Sequence, residues 1–282
     1  NKFWATSDED KKTVDVSYIC SIRGCPYRCN YCASPQHWKR DKTQYRSPES
    51  VINEMRYLKE NYWNTKKEYD FSASANIGSK QDLKIKDNTI VYFVDDIFTV
   101  KKKRVKTILK MMIDQKLGMN WKCEARTDHL DEEICELMKK AGCSRVKLGF
   151  ESGSNRLLKN IQKDETKEDM KKGVQMLKDA GVPFTAYFMA GFPSETDEDL
   201  KQTIQFAREI EADYYSLSVL APYFGTKMYY DLIDSGVELD KKPWEYFFHQ
   251  TGELMANSKI SKPVLNEFLS LNELNKKGDG YI

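Results

Sequence analysis

The sequence predicts an α/β fold of six strand–helix units, arranged as an incomplete βα barrel or as an open doubly wound sheet. Three observations carry this prediction. β-rich runs recur six times along the chain. Helical stripes with apolar residues at i, i+3 and i+4 lie between them. The length, 282 residues, is one that a single core reaches most often as a barrel.

Taken in order, the first strand falls at 14–20, and Ser47-Pro48 then sets a cap before a proline at N1 for a helix carrying Val51, Ile52, Met55 and Leu58. From about 64 to 88 the pattern lapses into Lys, Ser, Asn and Gly, which reads as an inserted surface loop. The second strand is expected at 90–94, followed by a helix with Val105, Ile108, Leu109 and Met112; the third strand at 120–124, followed by Ile134, Leu137 and Met138. Gly142 stops that helix. The fourth strand is expected at 145–150. Thr166, with Asp169 three residues on, opens the next helix, which carries Val174 and Leu177 and ends at Gly181. The fifth strand lies at 183–189, Thr196 and Asp199 open a helix with Leu200, Ile204, Ala207 and Ile210, and the sixth strand lies at 214–220. Parallel pairing follows, because strands separated by helices cannot be joined by tight hairpins. The strands read as near-continuous apolar runs, as expected of a sheet covered by helices. Beyond them, 226–233 and 263–271 read as further helices.

The composition narrows the function classes. Lys and Arg number 45 against 43 Asp and Glu, a net charge of +2 that gives no field for a dedicated nucleic-acid binder. Apolar residues make up 40% and charged residues 31%, a globular balance. No apolar run approaches the roughly 20 residues of a membrane span, and residues 1–12 lack the basic-then-apolar order of a signal peptide. A cytoplasmic protein without membrane contact is the expectation.

Three of the seven cysteines fall within eight residues, which disfavours a disulfide framework. Cys20, Cys123, Cys135 and Cys143 lie in apolar or helical contexts and read as buried, inert thiols. Cys25, Cys29 and Cys32 give CxxxCxxC just after the first strand, where a βα barrel places its chemistry. Three thiolates on one loop suit an iron–sulfur cluster or zinc. A structural zinc site wants a fourth protein ligand, for which only His37 lies near in sequence, and such a site would make the chain a non-catalytic binding module. A 4Fe–4S cluster on three cysteines leaves one iron open. The histidines His129 and His249 read as structural.

The segment from Ser21 to Cys32, Ser-Ile-Arg-Gly-Cys-Pro-Tyr-Arg-Cys-Asn-Tyr-Cys, resembles the signature of the radical S-adenosylmethionine (radical SAM) superfamily, including the aromatic Tyr31 before the last cysteine. Further matches fall at successive strand ends: Val91 to Phe98, Trp121 to Leu130, Leu148 to Ser154, Met189 to Thr196, and Leu220 to Thr226. The resemblance implies a partial (βα)6 TIM-like barrel with parallel strands over 1–225 and a C-terminal helical extension over 226–282. It also implies a 4Fe–4S cluster on Cys25, Cys29 and Cys32 whose open iron binds S-adenosylmethionine. Reductive cleavage of that cofactor gives methionine and a 5'-deoxyadenosyl radical, which abstracts hydrogen from a substrate.

The same resemblance implies the remaining site. Tyr31 lies against the adenine. Asp95 and Asp96 stand where many members carry Gly-Gly-Glu, and a carboxylate there answers the methionyl amine. Glu124 and Arg126 alternate and share a face on a regular strand, as acid and base for the cofactor or as a mutual ion pair. Glu151 and Ser152 are placed for the ribose hydroxyls, and Lys163 for the carboxylate, unless it is a solvated helix-end lysine. Gly191 lets the nucleoside approach at the fifth strand's end. The run Lys101 to Arg104 is a solvated face or a dock for an acidic electron donor such as flavodoxin or ferredoxin.

Within the superfamily, the Asp-Asp-x-Phe, Glu-Ser-Gly-Ser and Gly-Phe-Pro-Ser-Glu-Thr segments look most like the branch whose members carry a cobalamin-binding domain upstream. Cobalamin-dependent methyl transfer is therefore the leading subtype, although this chain contains no Asp-x-His-x-x-Gly cobalamin-ligating sequence. The alternative is a cobalamin-independent enzyme acting on a peptide or small metabolite.

Overall fold

The computed structural model describes residues 15–34, 43–63, 89–247, 254 and 258–275. One sheet contains β1 (Asp15–Ile19), β2 (Thr89–Phe93), β3 (Asn120–Ala125), β4 (Cys143–Glu151), β5 (Phe184–Ala190) and β6 (Tyr214–Val219). Every neighbouring pair is parallel, and the order across the sheet is the order along the chain.

That order decides between the two expected architectures. A doubly wound sheet reverses its strand order at a switch point, so that helices cover both faces. An unreversed order with right-handed crossovers sends every helix to the same face and leaves the other face to curl inward. The fold is therefore the partial barrel, open between β1 and β6, which do not pair among the described residues.

The outer helices are α1 (Pro48–Leu58), α2 (Lys102–Asp114), α3 (Glu132–Lys140), α4 (Asn155–Asn160), α5 (Lys167–Asp179) and α6 (Asp197–Ile210). Their starts are those the sequence marks. Ser47 accepts from the Ser50 amide, Thr166 accepts from that of Asp169, and Thr196 with Asp199 forms a full capping box. Gly142 and Gly181 turn with φ of +87° and +65°. α7 (Lys227–Asp234) and α8 (Lys262–Ser270) follow β6, and α8 packs on α6. Just beyond α8, Asn275 both donates to and accepts from the Tyr215 backbone, at 2.9 and 2.7 Å, which satisfies part of β6's open edge.

The core lies between sheet and helices. Phe93, Phe98 and Trp121 form one aromatic group with centroids 4.7 to 5.7 Å apart, and Phe150, Phe188 and Phe206 form a second at 5.5 to 6.0 Å. The inner face differs from the expected near-continuous apolar runs. On β3, Trp121, Cys123 and Ala125 join the helix-side core while Lys122 and Glu124 point the other way, and on β4 Val146, Leu148 and Phe150 alternate with Arg145 and Lys147. Cys123, Cys135 and Cys143 are buried, and burial pushes the thiols of Cys135 and Cys143 up to about 12, which keeps them protonated. The expected insertion at 64–88, with His37 and His249, lies outside the described residues. Among the described residues no helix is long and apolar enough to cross a membrane.

Candidate active site

The loop after β1 carries the three clustered cysteines, and its neighbours fix it on all sides. Asp95, just past β2, accepts from the Ser21 amide at 2.6 Å, from the Ile22 amide at 2.8 Å and from the Ser21 hydroxyl. Arg104 of α2 donates to the Ser21 and Arg46 carbonyls. On the far side Asn30 donates from its amide to the Ile161 carbonyl and from its side chain to the Asn160 carbonyl, while its own carbonyl accepts from Met228 at the start of α7. Cys20, expected to be buried, is partly exposed, and its thiol donates to the Ile22 carbonyl.

Cys25, Cys29 and Cys32 are all half-buried free thiols. Burial raises each of them, Cys32 to about 12, while Lys163 and Arg126 pull Cys29 the other way. Cations are what this loop needs for its sulfurs to become ligands.

Arg126 supplies one. It leaves the end of β3, forms a bidentate pair with Asp128 at 2.9 and 3.0 Å, donates to the Lys163 and Asp164 carbonyls, and lies 3.7 Å above the Tyr27 ring. Lys163 supplies another. At 6% exposure it is no solvated lysine, and it stands 3.9 Å from Glu151 and 3.7 Å from Glu165. The expected mutual pair of Glu124 and Arg126 is not formed: Glu124 accepts from the Tyr92 hydroxyl and pairs with Lys147 at 3.7 Å.

Glu151 is brought to the mouth by a bulge after Gly149 and by its own left-handed backbone, φ +65°. Gly149 makes room for it. A Cβ there would sit 2.7 Å from Oε1 of Glu151 and 3.4 Å from Nζ of Lys163. Tyr31 donates its hydroxyl to Glu151 and packs edge-on against Phe192, 5.4 Å between centroids.

Two expected cofactor residues are spent elsewhere. Asp95, 1% exposed, has both oxygens engaged by the β1 loop, which it holds in place. Ser152, 0% exposed, bonds Thr203 of α6 at 2.9 Å and accepts from the Ser154 amide, so the ribose role assigned to it does not fit. Asp96 remains exposed and close enough to act on Cys25. At Lys101 to Arg104, three of four cations are already held: Lys101 sits over Tyr45 at 3.8 Å, Lys102 donates to the Leu130 carbonyl, and Arg104 is bound as above.

Gly191, φ +97°, ends β5, and the buried carboxyl of Glu195 accepts from the Gly191 and Phe192 amides at 2.7 and 3.1 Å. Burial raises Glu195 from 4.5 to about 8. A carboxyl raised in the fold contributes fully below its unfolded-state value, and that contribution is lost as pH rises toward the folded one, here between 4.5 and about 8. Glu195→Gln keeps an acceptor for both amides and never ionises. Its melting temperature is expected to gain on the wild type as the buffer moves from about pH 5 to about pH 9; a gap that stays constant contradicts this.

One contributor escapes sequence reasoning. Glu165 accepts from the Thr127 hydroxyl and the Thr127 and Asp128 amides, balancing Arg126 and Lys163. His129 bonds the Tyr27 hydroxyl and Thr99, a structural use, as its isolation suggests. Only the spacing of Glu165 two residues after Lys163 offered a signal.

A loop of three thiols flanked by buried cations, at the carboxyl ends of an open parallel barrel, defines the class as a βα-barrel iron–sulfur enzyme. The Radical SAM superfamily model matches residues 19–207, and the chain belongs to that superfamily. An uncharacterized methyltransferase of Pyrococcus horikoshii is 30% identical over 216 residues, 77% of this chain and 42% of that protein. The bacteriochlorophyllide d C-12(1)-methyltransferase of Chlorobaculum tepidum is 25% identical over 279 residues, 98% of this chain and 55% of its own length. In fold the chain is similar to the radical S-adenosylmethionine methyltransferase TsrM of Kitasatospora setae with cobalamin and a 4Fe–4S cluster bound: TM-score 0.63, 19% identity, 79% of this chain and 37% of that one. The chain thus spans about half or less of the relatives it matches. Its cofactors are those of the superfamily, a 4Fe–4S cluster and S-adenosylmethionine.

Proposed function

We propose that Cys25, Cys29 and Cys32 hold three irons of the cluster and leave the fourth for S-adenosylmethionine, within a methyltransferase that draws on cobalamin bound outside this chain. The observation that carries the reading is the three-thiol loop set among Arg126 and Lys163, whose charge offsets that of the thiolates. The donor set, three thiols on one loop, fits an iron–sulfur cluster, since thiolates are its usual ligands.

With a cluster on Cys25, Cys29 and Cys32 and S-adenosylmethionine beside it, the pair would supply one-electron reductive cleavage of the cofactor for hydrogen abstraction from the substrate. The chain's own residues orient and shield. Asp96 and Glu151 are the carboxylates available to the ammonium and ribose, Lys163 answers the carboxylate, and Tyr31 with Phe192 makes an apolar wall for the adenine beside Gly191. A one-electron donor such as flavodoxin or ferredoxin feeds the cluster, and the substrate is a small molecule or peptide. The methyltransferase subtype is supported by what the relatives are. Formation of 5'-deoxyadenosine by iron-loaded, reduced protein tests the reading, and cobalamin-dependent methyl transfer tests the subtype.

A further inference from the structure

The inner face of the barrel, below the cysteine loop, carries charged and polar side chains on three neighbouring strands. Barrel interiors are ordinarily filled by branched apolar side chains, yet here β2, β3 and β4 present Tyr92, Lys122, Glu124 and Lys147. Lys122 is the anomaly. It is 8% exposed, and among the described residues it makes no hydrogen bond and has no carboxylate within 4 Å; what it touches is the face of Tyr92, 4.7 Å from the ring centroid. Lys147 stands over the same ring at 4.5 Å and donates to the Tyr92 hydroxyl at 3.2 Å. The two ammonium groups share one carboxylate, Glu124, and the Tyr92 hydroxyl already donates to it.

Two buried cations that share a single carboxylate are costly. Burial and the neighbouring Lys147 and Arg145 accordingly lower Lys122 to about 8. Arg145, over the Tyr214 ring at 6.0 Å, adds positive charge to the same face. An anionic ligand group would relieve all of this at once.

We propose that Lys122 and Lys147, on either side of Glu124 over Tyr92, form a subsite for an anionic group of the substrate, a carboxylate or a phosphate. The substrate class is then an organic acid or phosphate ester held by its charge at depth, with its reacting carbon toward the mouth. Lys122 on β3 lies four residues before Arg126, just past the strand's end, roughly 13 Å away at extended spacing, which sets the reach of such a molecule. This rests on the proposed function, since it takes the mouth as the place of hydrogen abstraction.

The test is acylation of lysines in the loaded wild-type protein by an acetyl ester of N-hydroxysuccinimide, read peptide by peptide by mass spectrometry. Succinate, inorganic phosphate and neutral succinamide are added in turn at millimolar concentration. The expected result is a several-fold slowing at Lys122 by succinate or by phosphate, whichever group the subsite takes, with no slowing by succinamide and none at exposed Lys103. A Lys122 that neither anion protects, that succinamide protects equally, or that the reagent never reaches overturns the subsite. The same samples are assayed for 5'-deoxyadenosine without substrate. Cleavage that continues while protection fails removes the subsite alone, and protection that holds while cleavage fails removes the radical reading alone.

Discussion

Cys29→Ala is expected to abolish 5'-deoxyadenosine formation and to lower bound iron to the level of unloaded protein. Cys29 is the central member of the loop, bonded through its carbonyl to the Cys32 amide and adjacent electrostatically to Lys163 and Arg126. Two remaining thiols cannot secure a cubane, and the methyl side chain of alanine offers no ligand. The fold should survive, because the loop is fastened by Asp95, Asn30 and Arg104 and not by the sulfurs. Cys135→Ala supplies the contrast. That thiol is buried in α3, away from the loop, so its loss should lower stability and leave iron content and cleavage intact. Equal iron binding by the Cys29→Ala protein would show that the loop is not the ligand set.

The second large effect is on the fold. Gly153 follows Glu151 and Ser152 in the turn from β4 to α4, and a Cβ there would sit 2.6 Å from the Gln202 carbonyl oxygen, 2.6 Å from Cβ of Phe206 and 2.9 Å from Cα of Thr203. The first and last of these are backbone atoms of α6, so nothing flexible can yield. Overpacking of this kind costs about 1–3 kcal/mol, which in a domain of this size lowers the melting temperature by about 2–10 °C. Gly153→Ala should therefore melt early, as followed by circular dichroism, and should lose cleavage in step with folded protein. An unchanged midpoint would mean that the β4 turn and α6 are not in the contact described.

This second case bears on how much the sequence conveys. The Glu-Ser-Gly motif is visible as a motif, and its first residue does reach the mouth, but Ser152 and Gly153 are there to seat the turn on α6 through Thr203. Pattern alone cannot separate a residue that faces a ligand from one that faces a helix. The order of strands and helices was legible because each helix has an apolar stripe on one side and a capping residue at its start, as at Thr196 and Asp199. The choice between barrel and doubly wound sheet was not legible from periodicity, since both use the same units and differ only in strand order.

The polar inner face was overlooked for a different reason. Trp121-Lys122-Cys123-Glu124-Ala125 alternates strictly, and so does the run from Arg145 to Phe150, which is the period of a strand with two unlike faces. Reading these as apolar runs hides Lys122 and Lys147. Asp95 and Lys163 could not be settled from sequence for a comparable reason: burial is set by the packing of loops from distant parts of the chain, which ties Asp95 to the β1 loop and buries Lys163 beside Glu151 and Glu165.

The central claim is that the three thiols leave an iron on which S-adenosylmethionine can be bound and split. The direct measurement is anaerobic reduction of protein carrying a full 4Fe–4S complement, in the presence of S-adenosylmethionine, with 5'-deoxyadenosine and methionine quantified together. The account predicts both products in equal amounts, absent without reductant and absent from the Cys29→Ala protein. A fully loaded, reduced cluster that yields neither would contradict it.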